Sequence, residues 1–109
     1  MPVKLEILRN YLNHDEKMVQ KFLQLFCSAI PQDLNKLKQY MHESDFKLAS
    51  VTAHSIKSQC AYLGLDLARL MAEKLENISQ IGHEQNILFE SLENILLSEI
   101  AEMKMTLNI

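Results

Sequence analysis

From Met18 to Met41 the apolar residues never lose step. Met18, Val19, Phe22, Leu23, Phe26, Ile30, Leu34, Leu37 and Met41 recur in steps of three and four, the period of one helix face. Pro31 falls inside this run and does not reset it. A break in a helix normally resets the phase. The spacing therefore predicts one long helix over about 15–43, kinked near Pro31. Two helices meeting at Ile30 are the alternative, because a residue before proline resists the α region.

The rest of the chain has the same texture. Leu5, Leu8 and Leu12, with Ile7 and Tyr11 beside them, mark a short amphipathic helix within about 3–13. Asn13 or Asp15 can cap the long helix, and Ser44 or Asp45 the one after it. That third segment runs to about Leu63, where Gly64 supplies the left-handed residue that closes helices. Leu67, Leu70, Met71, Leu75 and Ile78 predict a helix over about 66–80, ended by Gly82. Ile87, Leu88, Leu92, Ile95, Leu96, Ile100 and Met103 predict a last helix over about 84–106. With two Gly and two Pro in 109 residues, the chain lacks the turn formers of an all-β fold. The predicted fold is all-α: one domain, residues 1–109, an antiparallel up-and-down four-helix bundle with its core over about 15–106 and a short additional N-terminal helix.

Charge and composition exclude several functions. The net charge is −3, and no Lys/Arg block tracks a helix face, which argues against a nucleic-acid partner. No apolar run reaches membrane-spanning length, and MPVKLEILRN has charges where a signal peptide needs an apolar core. A cytoplasmic, monomeric protein is expected, with polar outer faces. Cys27 and Cys60 read as small buried thiols in a reducing compartment, a disulfide between them being the alternative.

One histidine stands apart. At about 100° per residue, Leu48, Thr52, Ile56, Cys60 and Leu63 form one stripe, and His54 lies roughly 180° from its middle. Lys47, Ser50, Lys57, Ser58 and Ala61 share the His54 side. The imidazole is thus expected in solvent at mid-helix, among short side chains. Much of it is neutral and nucleophilic near neutral pH. Lys57 follows one turn later, where its ammonium can neutralise an anion carried on the ring. Ala61, two turns on, leaves room for a docked surface.

This segment, AHSIKSQCAYLG, resembles the histidine-containing phosphotransfer (HPt) domain family. The family pattern is His-x-hydrophobic-Lys-Gly with a Leu-Gly pair closing the helix. His54, Ile56, Lys57, Leu63 and Gly64 fill it. LARLMAEKLE resembles the family's next helix, and FLQLFCSAIPQDLNKLKQYMHESDFKLAS its long helix and acidic turn. The resemblance covers about residues 15–80, and the last helix fits by position only. Ser58 stands where the family has Gly, and its hydroxyl is placed to meet a phosphoryl oxygen.

The resemblance implies a carrier without kinase or ATP-binding activity of its own. Nε2 of His54 would accept a phosphoryl group from an aspartate of a response-regulator receiver domain and pass it to another. Hybrid sensor kinases are further expected partners. The receiver would supply Mg²⁺, and this chain no cofactor. No GxxxxGK[ST] or other Gly-rich phosphate loop is present in the sequence, which agrees with that division of labour. Docking is expected around Ser50, Val51, Ser58, Ala61, Tyr62 and Gly64, with Leu8, Tyr11 and Leu12 as further candidates. The runner-up function is a helical adaptor that binds receiver or kinase domains without carrying phosphate.

Other residues read more plainly. His14, His42 and His83 fall at predicted helix ends and are expected in solvent. No His/Glu/Cys group has inward-facing metal-ligand spacing, so no metal site is expected. The six Met are gap-fillers along apolar stripes. Glu90, Glu93, Glu99 and Glu102 read as a solvated face.

Overall fold

The computed structural model describes residues 3–109, which form five helices: α1 (Leu5–Tyr11), α2 (Glu16–His42), α3 (Phe46–Tyr62), α4 (Asp66–Glu76) and α5 (His83–Thr106). Pro31 lies inside an uninterrupted α2, so the single-helix reading holds. Its missing N–H and fixed φ are outweighed by the buried face of Val19, Leu23, Phe26, Ile30, Leu34 and Leu37 around it. Asp15 caps α2 by accepting from the N–H groups of Lys17 and Met18, and Asp45 caps α3 through that of Leu48.

Three helix ends close the same way. The N–H of Leu65 reaches the Cys60 carbonyl and that of Gly64 the Ala61 carbonyl, with Gly64 at φ +65°. This paired closure satisfies the last carbonyls of a helix. Asp45 to Tyr40 with Ser44 to Met41, and His14 to Arg9 with Asn13 to Asn10, repeat it, Ser44 and Asn13 taking the positive φ. Only the glycine among the three was visible as a stop signal, because Asn and Ser serve many other roles.

α2, α3, α4 and α5 pack each against the next, and α5 returns to α2, which closes the four-helix bundle. α1 sits against α2, and the Lys4 N–H just ahead of it donates to the Leu63 carbonyl at 2.8 Å. α3 and α4 form the most extensively packed pair. α3 buries Ala49, Ala53, Ile56 and Cys60, and α4 buries Ala68, Ala72 and Leu75. Side chains this small let two helices lie close together.

Several expectations need correction. Leu48 is exposed and Thr52 only half-buried, its hydroxyl donating to the Leu48 carbonyl. The core stripe of α3 is instead centred on its alanines, about 40° round the helix from the predicted one. Leu67 and Leu70 are exposed while Ala68 and Ala72 are buried, so size misled the reading of α4 as well. α4 stops at Glu76 rather than near residue 80, with the Asn77 amide donating back to the Glu73 carbonyl at 2.9 Å. Ile78 and Ile81 then pack on the core from a non-helical connection. Gly82 starts α5 rather than ending α4: its N–H donates to the Gln85 side chain at 2.8 Å. In α5, Ile87 is exposed and Phe89 buried. Glu99 is buried too, on the stripe of Leu92, Leu96 and Met103, and does not belong to the solvated acidic face.

Two outcomes follow from this packing. A Cβ on Gly64 would lie 2.8 Å from the Lys4 Cβ and 3.1 Å from the Ile7 Cδ1, in a backbone region that costs an L-residue about 1–2 kcal/mol. Gly64→Ala is therefore expected to lower the thermal midpoint by at least about 4 °C, measured by circular dichroism. Cys27 and Cys60 are buried free thiols, and burial pushes the Cys60 thiol up to about 12. A thiol reagent at mildly alkaline pH should leave Cys60 unlabelled until the bundle unfolds.

Candidate functional site

The α3–α4 turn determines what stands beside His54. His54 lies ten residues before Gly64 and Glu76 twelve after it. At about 1.5 Å of rise per residue, two close antiparallel helices bring such positions level. The shifted core stripe turns His54 and Lys57 to the shoulder of α3 that meets α4. Glu76, in the last turn of α4, reaches both.

The Glu76 carboxylate is shared. Its Oε2 lies 2.7 Å from Nδ1 of His54, and its Oε1 lies 2.6 Å from Nζ of Lys57. Oε1 is shielded from solvent, with the Lys57 ammonium paired against it. Lys57 and Glu76 are both largely covered, with side chains 23% and 21% exposed. The His54 side chain stays 59% exposed. A histidine among aliphatic side chains would be inert; this one is in water on one edge and held on the other.

The tautomer follows from the partner. An ionised carboxylate only accepts hydrogen bonds, so Nδ1 of the neutral ring carries the proton. The lone pair is then on Nε2, the nitrogen that the carboxylate leaves free. The contact with Lys57, above all, holds the Glu76 carboxyl below the usual glutamate range; partial desolvation opposes this and the His54 ring adds to it. A carboxylate in the last turn of a helix also faces the negative end of the dipole, which the Lys57 ammonium offsets.

The predicted docking residues divide. Val51 is 62% exposed, Ala61 and Tyr62 are exposed, and Ser50 and Ser58 half-buried, all on the outer side of α3. The Tyr62 ring meets Tyr11 of α1 edge-on at 4.9 Å and Phe22 of α2 at 5.7 Å. Gly64 does not belong to this surface. It is buried under Lys4 and Ile7, and its part is to turn the chain. Leu8 is core and Leu12 half-buried, which leaves Tyr11 as the exposed member of that trio.

Glu76 was missed from the sequence. The predicted helix ran on to about residue 80, which put Glu76 inside it rather than in its last turn. Folding the chain back at Gly64, ten residues on from His54 and twelve short of Glu76, is the signal that points to it. His14, His42 and His83 are exposed, and among the described residues no group of three or more His, Cys, Asp or Glu is arranged to hold a metal ion. No described helix is long and apolar enough to cross a membrane.

The lowered Glu76 titration has a definite sign. Its ion pair contributes stability that is fully present above the ordinary glutamate value of 4.5 and is lost as pH falls through the lower value of the folded state. Urea midpoints of the native chain and of Glu76→Gln should therefore differ near neutrality and converge as pH falls below that range.

Residues 21–105 match the Hpt domain family, a stretch that takes in α5 as well as the segment around His54. No curated protein and no solved structure matches the chain significantly. Hpt domains are phosphocarrier modules of two-component signalling rather than kinases. With most of its length matched and an all-helical bundle beneath the match, this chain belongs to the Hpt domain family.

Proposed function

We propose that His54 is the phosphorylated residue, and that the protein relays a phosphoryl group between aspartates of response-regulator receiver domains. The observation that carries this reading is the ring itself, its side chain 59% exposed and its Nδ1 anchored on Glu76. In the forward step the Nε2 lone pair forms a bond to phosphorus as the acyl phosphate P–O bond breaks. The donor aspartate leaves as a carboxylate. Delivery to the next receiver is the same exchange in reverse. Catalysis comes mainly from alignment of the two proteins, with the receiver contributing Mg²⁺ and its own lysine to the transferring charge.

Lys57, one turn on from His54 and paired with the same carboxylate, supplies the cation for the phosphoryl oxygens, and Ser58 offers a hydroxyl on the same side. Val51 and Tyr62, with Ser50 and Ala61, supply an apolar footing around the ring. A modest interface of this kind suits transient docking. Such a relay belongs in the cytoplasm with its receiver and hybrid-kinase partners, where buried thiols stay reduced.

The test is incubation with a receiver loaded by a small phosphodonor. The native chain is expected to acquire acid-labile phosphate. His54→Gln should acquire none while its circular dichroism stays helical. Lys57→Ala should slow transfer about tenfold or more, the equivalent of one charge-assisted hydrogen bond of about 1.5 kcal/mol. Binding of the receiver with no phosphate gained would instead support an adaptor.

A further inference from the structure

The outer face of α5 carries a repeat that the bundle leaves unused. Ile87, Asn94 and Ala101 stand seven residues apart, and so do Glu90, Leu97 and Lys104. Seven residues make about two turns of helix, so the two rows share one face. All six residues are exposed, with Ile87 at 48% and Leu97 at 43%, and the face is turned away from the buried stripe of α5. Two rows at this spacing are the means by which one helix seats against another. We propose that this face pairs two copies of the chain, α5 against α5 in antiparallel sense, about a two-fold axis at Leu97.

Charge selects both the partner and its direction. Glu90 lies seven residues before Leu97 and Lys104 seven after it. Neither makes an ion pair with any of the described residues. A two-fold axis at Leu97 sets Glu90 of each copy against Lys104 of the other, about 10 Å along the helix on either side of the axis. A parallel pair would set Glu90 on Glu90 and Lys104 on Lys104. In the antiparallel pair Leu97 meets its own counterpart. Asn94 of one copy lies beside Ala101 of the other, whose small side chain lets the two helices approach. Opposite ends of the two helix dipoles also come together. A surface that complements itself in this way is what a two-fold pair requires.

The bundle leaves the face free for this use. α5 packs on α4 and α2, and α3, which carries His54, stands at the opposite corner. Both His54 rings therefore stay open in the pair. One helix face of this length covers on the order of 1,000 Å² in total, at the low end of specific interfaces. The pair is accordingly weak and reversible, half formed at about 100 μM.

Sedimentation equilibrium of the full chain, from about 10 μM to about 1 mM, tests the proposal. The native chain should pass from monomer to dimer across that range. Lys104→Glu sets a carboxylate against Glu90 of the other copy and should weaken the dimer about tenfold or more; Glu90→Lys should do the same. Glu90→Lys and Lys104→Glu together should restore it, a rescue that misfolding of either single variant could not produce. Cross-linking reads the direction. With Cys27 and Cys60 buried, Leu97→Cys should form a disulfide-linked dimer under mild oxidation. Ile87→Cys should not, because its two copies would stand about 30 Å apart. A native chain that stays monomeric at the highest concentration would overturn the proposal. So would a dimer that Lys104→Glu leaves unchanged, a double exchange that fails to restore it, or linkage of Ile87→Cys as ready as that of Leu97→Cys.

Discussion

The close contact between α3 and α4 governs the rest of the molecule. It depends on small buried side chains, Ala49, Ala53 and Cys60 on one helix and Ala68 and Ala72 on the other. It depends equally on a turn that only glycine makes cheaply, at a site where Lys4 and Ile7 leave no space for a Cβ. With that contact in place, the end of α4 meets the middle of α3. Glu76 then stands against His54 and Lys57. Larger residues at the seam would separate the helices and leave the imidazole without its partner.

The charge arrangement at this meeting point is economical. One carboxylate serves a ring nitrogen and an ammonium at once, and the helix end that carries it is itself negative. The ammonium that meets it is that of Lys57, at 2.6 Å from Oε1. Glu76 and Lys57 are both largely covered, so each gives up hydration that their mutual contact offsets. The other edge of the His54 ring stays in solvent, and the exposed apolar side chains of Val51 and Tyr62 lie on the same outer side of α3.

Helix number, order and most boundaries could be read from the sequence because long α2 carries an unbroken apolar stripe and α5 one interrupted only at Glu99. His54 and Lys57 could be read too, from the polar side of α3 and from the family pattern. The errors share a cause. Leucine marked faces that alanine occupies, as at Leu48 against Ala49 and Leu67 against Ala68. A period analysis weights large residues, but close helix pairs select small ones. The end of α4 was misjudged because Ile78 keeps helical phase while packing from a loop. That error concealed Glu76, whose role is a tertiary contact and carries no local signature.

The most direct measurement of the central claim is the chemical position of the phosphoryl group. ³¹P–¹⁵N coupling in the phosphorylated, ¹⁵N-histidine-labelled protein distinguishes the two ring nitrogens and the four histidines. The account predicts a single phosphoryl group on Nε2 of His54. Phosphorus found on Nδ1, or on His14, His42 or His83, would contradict it.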